Sequence, residues 1–198
     1  MICEPIFSRR SIRKFKSGGI PEGTLRQIIE AGIAAPSAKN RQPWKCIVFR
    51  GASKNELLDN MEFGLNREEN TCPLLPKSKD GIADARNTLK IMRQAPVVIM
   101  VLNVNGGNPF MPIEADDRFT EMYDTLSIGA FIENMLIEAE SLGVGTLWVG
   151  NTCFAYSELT AYMETREQLV GAVALGYADE APAQRPRIPL SSVVEFRN

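Results

Sequence analysis

The chain has 198 residues, 44% of them hydrophobic, which suits a single domain with its own core, since domains of roughly 100 to 200 residues are the usual size. Lys and Arg total 22 against 24 Asp and Glu, so no net field favours a polyanion and nucleic acid is not expected as a partner. No histidine occurs, which removes the Ser-His-Asp triad, the Cys-His pair, the HExxH zinc site and the imidazole proton shuttle.

Pro21 sits just inside a predicted helix whose apolar face is Leu25, Ile28, Ile29, Gly32 and Ile33, ending near Ala34 before Pro36. Lys45 to Phe49 reads as a strand. Ser53 and Glu56 then have the spacing of a capping box, which predicts a second helix from Lys54 carrying Leu57, Leu58 and Met61. The polar stretch Asn66 to Lys79, with Pro73 and Pro76, reads as a loop before a third helix capped by Asp80, with Ile82, Ala85, Leu89 and Met92 on its apolar face. Val97 to Val101 is a strand, and the turn-rich segment from Asn103 through Asp117 is long enough to act as a lid.

The most apolar helix is predicted from Glu121 to Leu142. Leu126, Ile128, Phe131, Ile132, Met135, Leu136, Ala139 and Leu142 cover over half its circumference, so burial on several sides is expected, with a second subunit among the elements that could cover it. Small Ser127, Gly129 and Ala130 would allow close approach. Gly143 ends this helix, Thr146 to Val149 and Val170 to Leu175 read as strands, and Val193, Val194 and Phe196 could add an edge strand. The whole is one α+β domain spanning residues 1–198, with no repeat or linker.

Other absences narrow the chemistry. Cys3, Cys46, Cys72 and Cys153 lack CxxC spacing, so no metal site is expected and the thiols are read as reduced and mostly buried. No Walker phosphate loop occurs, and Gly143, Gly145 and Gly150 fit GxGxxG poorly, following a helix into a strand rather than the Rossmann order. The first residues carry Glu4 and the basic Arg9, Arg10, Arg13 and Lys14 in place of an export signal's apolar core, and Ala95 to Leu102 is far too short to span a bilayer. A cytoplasmic location without membrane contact is expected. What remains is chemistry supplied by a bound cofactor.

Ser8-Arg9-Arg10-Ser11-Ile12-Arg13-Lys14-Phe15 gathers guanidinium forks and hydroxyls suited to a phosphate monoester; a solvated basic arm has the same composition. In extended backbone Arg9, Ser11 and Arg13 share a face that Arg10 and Lys14 do not. Ala35-Pro36-Ser37-Ala38-Lys39-Asn40-Arg41-Gln42-Pro43-Trp44 is bounded by prolines and rich in amides. It could present hydrogen bonds to a planar heterocycle, or simply connect a helix to a strand with Trp44 in the core.

Together these segments resemble the nitroreductase-like flavoprotein family, whose members open with RRS-x-R-x-F and follow it with a PSxxNxQPW loop. Gly143 to Gly150 and Arg185-Pro186-Arg187-Ile188-Pro189-Leu190 are similar to the family's two other flavin segments. The resemblance implies a three-layer fold, a mixed central sheet flanked by helices, in a homodimer with FMN at the two-fold interface. It implies that Arg9, Arg10, Ser11, Arg185 and Arg187 surround the phosphate and ribityl chain, and that Arg13 lies near the N1 and C2 carbonyl edge of the ring. Pro36, Ser37, Ala38, Asn40 and Gln42 would come from the partner subunit, Trp148, Val149 and Gly150 would line the ring near N5, and Asn87 resembles a further flavin contact. It could equally be a polar residue on an exposed helix face.

The reaction so implied is ping-pong transfer of electrons from NADH or NADPH through FMN to a nitroaromatic, quinone or similar small-molecule acceptor, with no catalytic side chain required. Arg41 and Phe110 to Phe119 are candidate substrate contacts or solvated loop. Other readings are reductive dehalogenation, a non-catalytic FMN binder or sensor, and a phosphorylated-metabolite binding module.

Overall fold

The structure is a computed structural model that describes residues 3–197. Its sheet has four strands, β1 (Trp44–Arg50), β2 (Val97–Asn103), β3 (Gly145–Val149) and β4 (Gln168–Gly176), in the spatial order β1-β2-β4-β3. All three pairings of these strands are antiparallel. The parallel component of the expected mixed sheet is, among the described residues, the bridge between Ser11 and Thr146.

Strand alternation divides the core into two layers around this sheet. Val98, Met100 and Leu102 face α3 (Gly51–Asn70), α4 (Gly81–Gln94) and α6 (Tyr156–Tyr162), where they meet Leu57, Met61, Leu89 and Leu159. Val97, Ile99 and Val101 face α2 (Glu22–Ile33) and α5 (Ala115–Ser141), where they meet Ile28, Ile132 and Met135. Every residue of β2 is buried, which explains its apolar run from Val97 to Leu102. Helix α2 lies tight on α5 because Gly32 leaves room: a Cβ there would come within 2.8 Å of both Phe131 and Met135. Among the described residues no helix is long and apolar enough to cross a membrane.

Several sequence expectations are corrected. Helix α3 begins at Gly51, three residues before the predicted Lys54, and Ser53 Oγ donates to the Arg50 carbonyl at 3.1 Å instead of forming a capping box. The same helix runs on to Asn70 because Glu68, polar in sequence, is buried by partners outside the helix. Asp80 precedes α4 without a side-chain cap. Helix α5 begins at Ala115, so the irregular segment after β2 ends there; its first turns are solvated and carry no apolar period. Within one chain Leu126 is 69% exposed and Ile33 50%, so both point away from the core. Residues 193–197 form no strand; Val193, Val194 and Phe196 are exposed. The cysteines are free, but Cys3 and Cys72 are exposed and Cys46 and Cys153 only half-buried. Burial pushes the Cys46 thiol up to about 12.

Candidate functional site

After the short helix α1 (Glu4–Ser8) the chain runs extended along the outer side of β3. Ile12 and Phe15 are buried and anchor this segment, while the Ile12 N–H donates to the Thr146 carbonyl at 2.9 Å and the Lys16 N–H to the Tyr177 carbonyl at 2.9 Å. Glu180 fastens its far end, one carboxylate oxygen accepting the backbone N–H groups of Arg13 and Lys14. The polar residues between these anchors are thereby held toward the chain's C-terminal arm.

They form a cleft of about 70 Å³ lined by Arg9, Arg10, Ser11, Arg13, Pro182, Ala183, Gln184, Arg185 and Arg187, room for a compact oxyanion and not for a ring. Five guanidinium groups meet there with no acid in the lining. Arg10 belongs to the cleft, against the expectation from strand alternation, because its Nη1 folds back onto the carbonyls of Phe7, Ser8 and Arg9 at 2.7, 2.8 and 2.9 Å. Arg9 reaches toward Glu133, 3.6 Å away, yet its Nε is buried without a hydrogen bond. A buried donor of this kind is costly unless a ligand accepts from it.

Arg13 also borders a second cleft, of about 200 Å³, whose floor is Leu147, Trp148, Val149 and Gly150 and whose wall is Asp84, Asn87, Thr88, Ile91 and Asn151. Trp148 is 43% exposed although it stands in the sheet; its indole lies on the α5 side, toward Gly129 and Gly171, so this cleft on the α4 side meets the strand's backbone there. Asn151 donates to Thr88 Oγ1 at 2.9 Å and to Asp84 Oδ2 at 3.1 Å, while its own Oδ1 is buried without a partner. Asn87 is exposed on α4 and faces this same cleft.

The third group of expected residues lies elsewhere. Pro36, Ser37, Ala38, Asn40 and Gln42 line neither cleft. Their loop is fastened to α5, with the Ala38 N–H donating to Ser127 Oγ at 3.2 Å, and Ser37 Oγ accepts the Gln42 N–H at 3.0 Å. Trp44 stacks on Phe131 at 5.0 Å, a core role. Of the candidate substrate contacts, Arg41 is held by Asp124 and Phe110 packs edge-on against Tyr156 at 5.5 Å. The sequence reading missed Asp84, Thr88, Asn151 and the Pro182 to Gln184 wall. An asparagine directly after Gly150 was the available signal; the others come from packing alone.

The profile of the Nitroreductase family matches residues 6–177. The chain belongs to that family. A segment of 56 residues is 46% identical to NADH dehydrogenase of Thermus thermophilus, a match spanning 28% of this chain and 27% of that protein. NADPH-flavin oxidoreductase of Vibrio harveyi is 26% identical over 196 residues, covering 96% of this chain and 71% of the relative. The fold is also that of the FMN-dependent nitroreductase NfnB from Mycobacterium smegmatis, solved in complex with NADPH, with a TM-score of 0.74 at 18% identity over 98% of this chain and 97% of that one. This nitroreductase-family chain therefore shares its architecture with flavoproteins whose sequences have diverged widely from it.

Proposed function

We propose that the chain is an FMN-dependent oxidoreductase of the nitroreductase type, working as a homodimer. The observation that carries this is the pair of clefts joined at Arg13, one built from five arginines and the other floored by Trp148, Val149 and Gly150. The residues fit FMN. A cleft holding five cations and no acid suits a phosphate dianion, and the unsatisfied Arg9 Nε and Asn151 Oδ1 are a donor beside the phosphate end and an acceptor beside the ring end.

When bound, FMN supplies a two-electron carrier that takes hydride equivalents from NADH or NADPH and passes them to a nitroaromatic, quinone or similar acceptor in ping-pong order. Arg9, Arg10, Ser11, Arg185 and Arg187 hold the phosphate and ribityl chain. Arg13 holds a fixed positive charge at the ring end, favouring the more electron-rich state of whatever lies there. Trp148 to Gly150 present backbone groups to one face of the ring, and Asn87 offers an amide at the rim. The absence of histidine fits a site that binds and orients without a general base.

A second copy of the chain supplies what one chain leaves apart. Pro36, Ser37, Ala38, Asn40 and Gln42 would complete the partner's site. Phe119, Met122, Tyr123 and Leu126, all about half exposed or more on α5, form an apolar face of the kind that marks a subunit contact.

The test is the visible spectrum of the purified protein before and after anaerobic NADH and, separately, NADPH, with released flavin identified after denaturation. Bound FMN that either donor bleaches, followed by repeated turnover with a quinone, is the expected result. Bound FMN that neither donor bleaches makes the chain a flavin binder, and a colourless protein that takes up no added FMN overturns the proposal.

A further inference from the structure

Residues 37–42 form a tight turn with an unusual backbone, in which the Asn40 N–H donates to the Ser37 carbonyl at 3.0 Å and the Arg41 N–H to the Ala38 carbonyl at 3.1 Å. Lys39, Asn40 and Gln42 sit at φ 53°, 55° and 48°, in the left-handed region that side chains with a Cβ disfavour. Three such residues in four persist only where the surroundings over-determine them.

What ties this loop to the rest of the fold centres on one carboxylate. Arg41 donates from both Nε and Nη2 to Oδ1 of Asp124, at 2.9 and 2.7 Å. The other oxygen, Oδ2, accepts from Asn105 Nδ2 at 3.1 Å. One turn further along α5, Ser127 accepts the Ala38 N–H, so two side chains of one helix face grip the loop. The chain of bonds continues inward: Asn103 Oδ1 accepts the Asn105 N–H at 3.1 Å, and Asn103 Nδ2 donates to Gln168 Oε1 at 3.1 Å, both residues being buried at the ends of β2 and β4. The Asp124 side chain is 1% exposed. A charge buried so deeply is costly, and an apolar residue would pack that helix face more simply. What the carboxylate provides in exchange is one fixed geometry for a strained loop.

We infer that Asp124 is a positioning residue for the flavin site: through Arg41 it holds Ser37, Ala38, Asn40 and Gln42 in the conformation that receives the cofactor bound to the other subunit. The inference rests on the FMN-dependent dimer proposed above. Asp124 itself touches no cofactor, and Arg41 is thereby taken from the substrate contacts and given to the framework.

The experiment compares the parent with Asp124→Asn and with Arg41→Met, reading tryptic nicking after Lys39 and the FMN dissociation constant by flavin fluorescence. Both variants are expected to be nicked about tenfold faster or more and to bind FMN about tenfold more weakly or worse, since breaking a buried pair leaves an uncompensated group. Arg41→Lys, which keeps the charge without the two-pronged grip, should fall between them and the parent. Arg41→Met leaves Asp124 buried without its cation, so Arg41→Lys, which keeps one there, decides the matter if either of the other variants melts below the assay temperature. Parental nicking in Arg41→Met overturns the lock. Faster nicking with unchanged FMN affinity overturns the positioning role. A parent that takes up no FMN is a different failure, that of the flavin assignment, and nicking still reports whether the carboxylate holds the loop.

Discussion

Ile12 packs against the bare α-carbon of Gly145: a methyl group at position 145 would stand 2.8 Å from Cγ1 and 3.1 Å from Cβ of Ile12. The contact sits where the arginine-bearing segment is hydrogen-bonded to β3 through Thr146, so the position of Arg9, Ser11 and Arg13 depends on a glycine they never touch. Gly145→Ala should therefore push the segment outward. Overpacking of this sort costs about 1–3 kcal/mol, and FMN retention should weaken with it. Denaturant melts and flavin binding on the same preparation check this; a variant that binds FMN like the parent shows that the segment finds its place without the close approach.

The two clefts should separate by mutation. Arg187 lines only the arginine cleft, whereas Arg13 borders both. Arg187→Ala is expected to weaken FMN retention, with reduction by NADH or NADPH little changed at saturating FMN. Arg13→Ala is expected to keep some FMN but to slow its reduction, by about ten- to a hundredfold if roughly one charge-assisted interaction of 1.5–3 kcal/mol is lost. Stopped-flow bleaching of the two variants reads the difference, and unchanged kinetics in Arg13→Ala would remove its proposed role at the ring.

Mixed dimers test whether the 36–42 loop serves the opposite subunit. One chain carries Arg187→Ala and the other carries Asn40→Ala with Gln42→Ala. If the loop acts across the dimer, both defects fall in one site and the other site is intact, so mixed dimers regain tight FMN binding in half of their sites. If it acts within its own chain, every site carries a defect and no tight binding returns. Equilibrium titration of purified mixed dimers distinguishes these cases directly.

The elements that the sequence foretold are those whose apolar pattern is set locally. The runs at Val97 and Val170 and the period of α5 beyond Glu121 are of this kind, and so is the basic cluster from Arg9 to Arg13. What was missed depends on partners far along the chain. Glu68 reads as loop because nothing in Asn66 to Asn70 is apolar; its burial follows from Arg67 and from the N–H groups of residues 74 and 75. Asp124 is one of several acids along α5, nothing local marks it as buried, and its partner Arg41 is 83 residues away. The two clefts were legible as separate motifs, but that Arg13 joins them, with Asp84, Thr88 and Asn151 as a wall, is a product of packing.

Glu68 carries the clearest pH dependence. Its side chain is 1% exposed, with Oε2 accepting from Leu74 N at 2.8 Å and Arg67 Nη1 at 2.8 Å, and Oε1 from Leu75 N at 2.6 Å. Burial pushes the carboxyl upward, but the Leu74 and Leu75 N–H groups and the Arg67 guanidinium outweigh it and hold the group below its ordinary value of 4.5. A folded-state value below the unfolded one means that the stabilisation is fully present above 4.5 and is lost as pH falls through the folded value. Glu68→Gln should destabilise the fold by about 1–3 kcal/mol near neutrality, because an amide serves those donors less well. It should also flatten the decline in stability below the ordinary carboxylate range. Urea melts of parent and variant from neutral pH down to the onset of acid unfolding measure both effects. Parallel curves would mean that the acid sensitivity of this fold resides in other carboxylates and that Glu68 contributes packing alone.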